Sequence, residues 1–410
     1  MSLLTAASLG LAMALAEGPE EPAAAVTAFS VSGYMQADAV AWSQRSVDEL
    51  DPSTGAPLNQ NRFLIRRARV HGDVSQGPFS AVAEIDGNTI AGPSVRLIEA
   101  RVSARWPADG PALAVLSAGL QRIPFGYEVR LHARDRFFLE GSQVARALFP
   151  GDYDLGIEIQ GAWRFLRCQV AVMNGEPTSE RTLPAADPNA AKDVVGRVAA
   201  VGTIGPVGLE VGVSGLEGAG FHPGTPSTKD TVVWRDVNED GVAQLSELQV
   251  VAGSPATPSE SFRRFALGGD LQLSVPVPAL GRLELGAEVI WASNLDRGLF
   301  VADPVARSRA VRELGFSAGA VQRLPAGFAI GARFDRYVPD ADARDLQGAR
   351  LVPFDSSLST WALAASWSWR RTARVVLELD LNDNALGRGA DGAPARLASD
   401  SLTARAEVAF

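Results

Sequence analysis

The residues best spaced to do chemistry lie at 236–247 and read Asp-Val-Asn-Glu-Asp-Gly-Val-Ala-Gln-Leu-Ser-Glu. Their order fits D-x-[DN]-x-[DN]-G-x5-E, the pattern of a twelve-position calcium loop. Calcium is a hard cation and takes oxygen ligands. Asp236, Asn238 and Asp240 would supply side-chain oxygens at the first, third and fifth positions. Val242 would offer its carbonyl and Glu247 a bidentate carboxylate, with Gly241 allowing the sharp turn. Ala243 stands where a larger aliphatic is common, and no helix pattern precedes the loop. The competing reading is a solvated acidic turn.

A second group is basic. Of the 38 Lys and Arg residues only Lys192 and Lys229 are lysine. A GC-rich genome explains such a bias, and so does a need for planar donors that stay charged. Arg122, Arg130, Arg134, Arg136 and Arg146, with His132, share the segment 122–153 with Glu128, Asp135, Glu140 and Asp152. Five arginines against four acids leave a formal balance of one positive charge. Such arginines can pair with the segment's own acids.

Other chemistries are excluded by what is missing. The three histidines, His71, His132 and His222, are far apart, and no nucleophile, base and orienting acid fall together. No enzyme is expected. Cys168 is the single cysteine, so there is no internal disulfide framework and no cysteine-based zinc site. A net charge of -9 argues against general nucleic-acid binding.

The elements that must carry these residues are strands. Beyond the first sixteen residues no apolar run is long enough for a transmembrane helix. Apolar and polar residues alternate instead, over segments of roughly ten residues. Strands are expected near 27–42, 61–74, 79–87, 95–106, 112–121, 154–163, 165–174 and 193–203. They continue near 207–216, 261–274, 282–292, 311–322, 327–337, 359–369, 373–382 and 400–410. Leu283, Leu285, Ala287, Val289 and Trp291 share one face, and Arg282, Glu284 and Glu288 the other. Val375, Leu377, Leu379 and Leu381 likewise oppose Arg374, Glu378 and Asp380. In 61–74 the pattern breaks, because Arg66 falls on the face of Leu64, Ala68 and Val70. That segment needs an interface position or a bulge.

The connections alternate between short and long, as in a hairpin barrel with short periplasmic turns and long outside loops. In lipid only a closed barrel pairs every strand's backbone groups. The expected fold is all-β, a sixteen-stranded antiparallel transmembrane barrel over 27–410. It would lie in the outer membrane of a Gram-negative bacterium, in contact with its lipid and lipopolysaccharide. Arg67, Arg69, Arg101, Arg105, Arg197, Arg264, Arg333 and Arg405 fall on the lumen face of that pattern. Trp106, Trp291, Trp367 and Trp369 lie near strand ends, where an aromatic girdle belongs. Residues 1–16 read as a signal peptide ending Ala14-Leu15-Ala16, without the usual basic start. Residues 17–26 form a polar lead-in. The last strand alternates outward to Phe410, as barrel-assembly signals do.

At this point the chain resembles the phosphate-selective porins O and P. Gly119-Leu120-Gln121-Arg122-Ile123-Pro124-Phe125-Gly126-Tyr127-Glu128 is similar to that family's G-x-x-x-x-P-F-G-x-E at the end of its fifth strand. Phe138-Leu139-Glu140, Asp152-Tyr153-Asp154-Leu155-Gly156, Asn174-Gly175, Phe63-Leu64-Ile65-Arg66-Arg67-Ala68-Arg69 and Arg333-Phe334-Asp335-Arg336-Tyr337 extend the match. Gly141 departs from it, since the family often has Arg there, and so does the scarcity of lysine. The resemblance implies a homotrimer whose third outside loop, here 122–153, folds into the pore and constricts it. Arg122, Arg130, Arg134 and Arg136 on that loop, with Arg67, Arg69, Arg101 and Arg333 on the wall, would then face small anionic or hydrophilic solutes, phosphate among them. The calcium loop would sit in the longest outside loop, 217–260. The alternative function is a surface-exposed structural or adhesion barrel with a plugged pore.

Overall fold

The computed structural model describes residues 27–43, 59–178, 187–347, 350–370, 372–385, 387–388, 394–396 and 398–410. The expected signal peptide and lead-in lie outside them. Sixteen antiparallel strands close into one barrel, each bonded to its neighbours in sequence and the last to the first. They are β1 (Thr27–Trp42), β2 (Arg62–Gln76), β3 (Phe79–Asn88), β4 (Ser94–Trp106), β5 (Ala114–Arg122) and β6 (Tyr153–Trp163). Next come β7 (Leu166–Met173), β8 (Asp193–Ile204), β9 (Val207–His222), β10 (Glu260–Val277) and β11 (Gly281–Ser293). β12 (Arg312–Arg323), β13 (Phe328–Val338), β14 (Leu358–Trp369), β15 (Ala373–Asp383) and β16 (Ser401–Ala409) complete the wall. Closure pairs Tyr34 with Ala409 and Trp42 with Ser401.

Alternation sets the two faces. Val289, Trp291, Val375 and Leu377 stand exposed on the outside, while Glu288 and Glu378 are buried inside. Cys168 is exposed, between the outward Val170 and Trp163. The irregular second strand contains a bulge. Gln36 pairs with Arg67 and Ala37 with Ile65, so the register skips Arg66. An unpaired residue bends the strand and breaks period two, so Arg66 and Arg67 both reach Glu140.

Most strand limits agree with the sequence pattern within two residues. The ninth and tenth depart from it. β9 runs to His222 and pairs there with Glu260, so the hairpin stands six residues taller than expected. Gly218 and Gly220 lie in the added part, where apolar alternation gives no signal. The turns expected to be short are short. Gly77, at φ 57, and Pro78 alone join β2 to β3.

The main apolar core lies inside the barrel. Ile123, Phe125, Val129, Val144, Leu148 and Phe149 of the third outside loop pack on lumen-facing Met173, Val195, Leu216, Ala266, Ile290 and Tyr337. These wall residues belong to β7–β13. Each large side chain fully buried in this way contributes about 1.5–3 kcal/mol toward holding the loop inside.

Candidate functional site

The loop after β5 turns inward at Pro124-Phe125-Gly126. Phe125 is fully buried and its ring lies 4.6 Å from that of Phe149. Gly126 has φ 60, and a Cβ there would collide with the Glu288 carboxylate. Only glycine meets both conditions without strain. A short helix, α1 (Gln143–Leu148), is N-capped by Ser142 and presses Val144, Ala145, Ala147 and Leu148 against the wall. Deeper in the loop, Phe137, Phe138 and Leu139 pack on Val321, Ala329, Ala362, Ala364 and Val376.

Polar contacts fix the same path. A backbone N–H inside a protein must be satisfied, and the wall supplies acceptors. Ser214 Oγ accepts from Gly126 N at 2.9 Å, Glu288 from Glu128 N at 3.1 Å, Glu378 from Leu139 N at 2.9 Å and Asp335 from Gln143 N at 3.2 Å. Arginines serve the carbonyls: Arg374 donates to Arg136 O at 2.7 Å, Arg333 to Glu140 O at 2.9 Å and Arg405 to Leu139 O at 3.0 Å. The Glu140 carboxylate meets Arg66 at 2.8 Å, Arg67 at 3.0 Å and Arg405 at 3.1 Å. Burial alone would raise its pKa, but these cations outweigh it and hold the carboxyl well below its ordinary range.

The expected site arginines therefore divide into two sets. Arg122 ends β5 beneath the loop. It donates to Leu131 O at 2.8 Å and to the Tyr153 hydroxyl, and its guanidinium lies 4.5 Å from the Tyr153 ring centre. Arg136 pairs with Asp152, Arg333 with Glu128 at 3.2 Å, and Arg67 with Glu140. These four hold the loop. Arg69 pairs with Glu84 at 2.9 Å, and Arg101 with Glu99 at 2.5 Å, on the wall of β2–β4. Arg130 and Arg134 sit on the loop's tip, half-buried, close in sequence to His132 and Asp135. Arg130 comes no nearer than 3.9 Å to Glu210 of β9. A third, smaller apolar cluster of Ile98, Leu120 and Tyr153 lies on the wall of β4–β6.

His132 Nδ1 faces an Arg122 nitrogen at 3.2 Å. Guanidinium only donates, so this nitrogen accepts. Burial, then the Arg122 charge, lowers the His132 pKa below its ordinary value.

Sequence reasoning missed the tethers Arg374, Glu288, Glu378 and Asp335. Their one signal is a charged residue at lumen parity in mid-strand.

The segment 236–247 lies at the tip of an outside hairpin, where Thr231–Trp234 pairs with Leu248–Val251. Gly241 has φ 71. Asp236 accepts from Gly241 N at 2.8 Å, Asp240 from Val242 N at 2.7 Å, and Glu247 from Val237 N at 3.2 Å. Among the described residues no three His, Cys, Asp or Glu side chains converge as a metal-holding group.

Solved structures share this architecture. The anion-selective porin from Comamonas acidovorans matches with TM-score 0.53 and 11% identity, over 94% of this chain and 100% of that one. The fold is that of outer-membrane porins. Pseudomonas putida OprB matches at TM-score 0.56 and 11% identity, over 94% of each chain. OmpT of Vibrio cholerae, described in a trimer form, matches at 0.52 and 9%, over 94% of this chain and 99% of that one. No protein-family model matches the sequence, and no curated protein does. A closed sixteen-stranded porin barrel with an apolar exterior belongs in the outer membrane of a Gram-negative bacterium.

Proposed function

We propose that this porin barrel gives passive diffusion to small hydrophilic solutes and prefers anions, phosphate among them. One observation carries the reading. The inserted loop is tied to β9–β16 and to β2, and it carries half-buried Arg130, only 3.9 Å from Glu210 of β9, with Arg134 and His132 close by in the chain. Guanidinium donors there replace part of an anion's hydration without a closed cage, so release stays fast. The resemblance of Gly119–Glu128 to a motif of the phosphate-selective porins is the reason for including phosphate among those anions. The wall acids are themselves paired, Glu84 with Arg69, Glu99 with Arg101 and Glu210 with Arg197, while Glu158 accepts from Gln169. They temper anion preference rather than abolish conduction.

Planar-bilayer recording of the purified barrel under chloride, phosphate and cation gradients tests this. Reversal potentials shifted toward the anion's equilibrium potential are expected. Cation selectivity overturns the anion reading, and a non-conducting barrel favours the plugged structural one.

Two companion proposals belong here. The trimer form described for OmpT supports a homotrimer. The twelve-position spacing, with Gly241 at positive φ, supports calcium at 236–247, bound by Asp236, Asn238, Asp240, Val242 and Glu247.

A further inference from the structure

We propose that the outside rim of β10–β14 docks the phosphorylated headgroup of the outer-leaflet glycolipid, lipid A of lipopolysaccharide. The inference stands apart from conduction, because the residues concerned point away from the lumen. Arg263 shares the outward parity of Phe265 and Leu267, and Arg312 that of Leu314 and Phe316. Arg336 shares that of Phe334. Their side chains are 74%, 55% and 42% exposed. All three lie at the ends of their strands nearest the long loops, at the height of the outer leaflet's headgroups.

Beneath them lie two groups of aromatic rings, one on β10–β11 and one on β12–β14. Phe265 and Trp291 meet at 5.0 Å, Phe316 and Phe334 at 5.6 Å, and Phe334 and Trp361 at 4.8 Å. Such rings mark the boundary between hydrocarbon and headgroups. The Arg263 guanidinium lies 5.6 Å from the Phe265 ring centre, which fixes its charge just above that boundary. At the outside ends of β2, β4 and β8 the outward residues are Phe63, Val95 and Val194.

Each rim arginine has an acidic neighbour: Glu217 for Arg263, Asp342 for Arg312, Asp355 for Arg336. Exposed pairs of this kind are worth only about 0–1 kcal/mol. Arg263 uses Nε and Nη2 on Glu217, and Arg336 makes a single contact at 3.4 Å. A guanidinium has five donors, so a phosphate can bind beside or in place of the carboxylate. Acyl chains below the phosphate would lie along the aromatic rings. A free anion would leave those rings unused, which is why a lipid is the fitting occupant.

The full chain, purified in detergent, is titrated with diphosphoryl lipid A and the bound lipid is counted by native mass spectrometry. The variant Arg263→Gln/Arg312→Gln/Arg336→Gln is expected to bind more than tenfold more weakly, and each single variant about fivefold. Heat-modifiable electrophoretic mobility confirms that each variant is a folded barrel, and the single variants keep the test open if the triple one fails to fold. Dephosphorylated lipid A is expected to bind the parent as weakly as lipid A binds the triple variant. Unchanged lipid A binding by folded variants overturns the proposal. Equal binding of dephosphorylated lipid A also overturns it, as does full displacement by millimolar inorganic phosphate. Conductance of the triple variant is expected to match the parent, which separates this test from that of the channel.

Discussion

Glu140 of the inserted loop meets Arg67 of β2 at 3.0 Å, and the same carboxylate takes Arg66 from the adjacent bulge and Arg405 from β16. One acid thus closes the far end of the loop against the seam where the barrel begins and ends. Removing it takes away the carboxylate that these three guanidinium groups share, although Arg405 keeps Asp38 and Arg67 keeps Gln36. Breaking a buried pair on one side costs about 3–5 kcal/mol, and the partial exposure of Glu140 places the loss at or below the lower end. Glu140→Gln is expected to give larger, noisier single-channel currents and faster protease cutting within 122–153. Because this carboxyl sits well below its ordinary pKa, the latch stays intact through mild acid. Its stabilisation is present above the unfolded value of about 4.3 and is lost only as pH falls through the lower folded value. Parent currents that turn noisy already near pH 5 would contradict this.

Gly126 and Gly77 give a paired test of the loop's entry. Both have positive φ, but only at Gly126 would a Cβ strike another residue; at Gly77 nothing lies within 4 Å. Gly77→Ala carries only the backbone penalty, about 1 kcal/mol, and leaves conductance unchanged. Gly126→Ala adds a clash with Glu288 and displaces the loop. Its expected readouts are a raised conductance and a lowered temperature for the loss of heat-modifiable mobility. Equal behaviour of the two variants would count against the close fit at Gly126.

The barrel was legible in the sequence because period two is imposed twice, by lipid outside and water inside. That logic fails where the lumen is dry. Met173, Val195 and Ile290 face inward yet are apolar, because the loop covers them. These inward apolar positions lie near the loop-side ends of their strands, Met173 closing β7 and Val195 near the start of β8. The roles of the arginines were not legible. Arg122 and Arg130 look alike in the chain, and they differ only because carbonyls of Val129 and Leu131 fold over the first. Arg66 shows the middle case. Its broken parity announced a bulge, but only the closed barrel brings Glu140 to it.

This division of arginines predicts two phenotypes. Arg130→Ala and Arg134→Ala remove charge from the loop tip and are expected to move reversal potentials toward the cation side while keeping a steady current. Arg122→Ala removes donors to the loop's own carbonyls and is expected to destabilise the open level, with flicker rather than a clean selectivity change. Bilayer recordings under a salt gradient distinguish the two. Identical shifts for all three would assign Arg122 to the passage.

If the barrel prefers anions as proposed, His132 is expected to make that preference depend on pH. Burial and Arg122 hold its pKa below the ordinary value of about 6.5, so the ring is neutral at pH 7 and gains charge only in more acidic solution. Protonation puts a second cation beside Arg122 and converts its Nδ1 from acceptor to donor. Anion selectivity is expected to rise only as pH falls below the ordinary imidazole range, and His132→Ala to flatten that rise. A parent profile that is already complete at pH 7 would show that the ring is not held neutral.

The outside hairpin offers the last test. Asp236, Asp240 and Glu247 accept backbone N–H groups and are spaced as calcium ligands, with Gly241 at the turn. A bound divalent cation would offset the repulsion between these carboxylates and order the tip. Millimolar calcium is expected to slow proteolysis between 223 and 259, with magnesium far less effective because it demands shorter, near-octahedral contacts. Glu247→Gln removes the bidentate ligand at the twelfth position but can keep the bond from Val237, so it should lose calcium protection while the hairpin still forms. Protection that persists in Glu247→Gln and Asp240→Asn would return the segment to a solvated acidic turn.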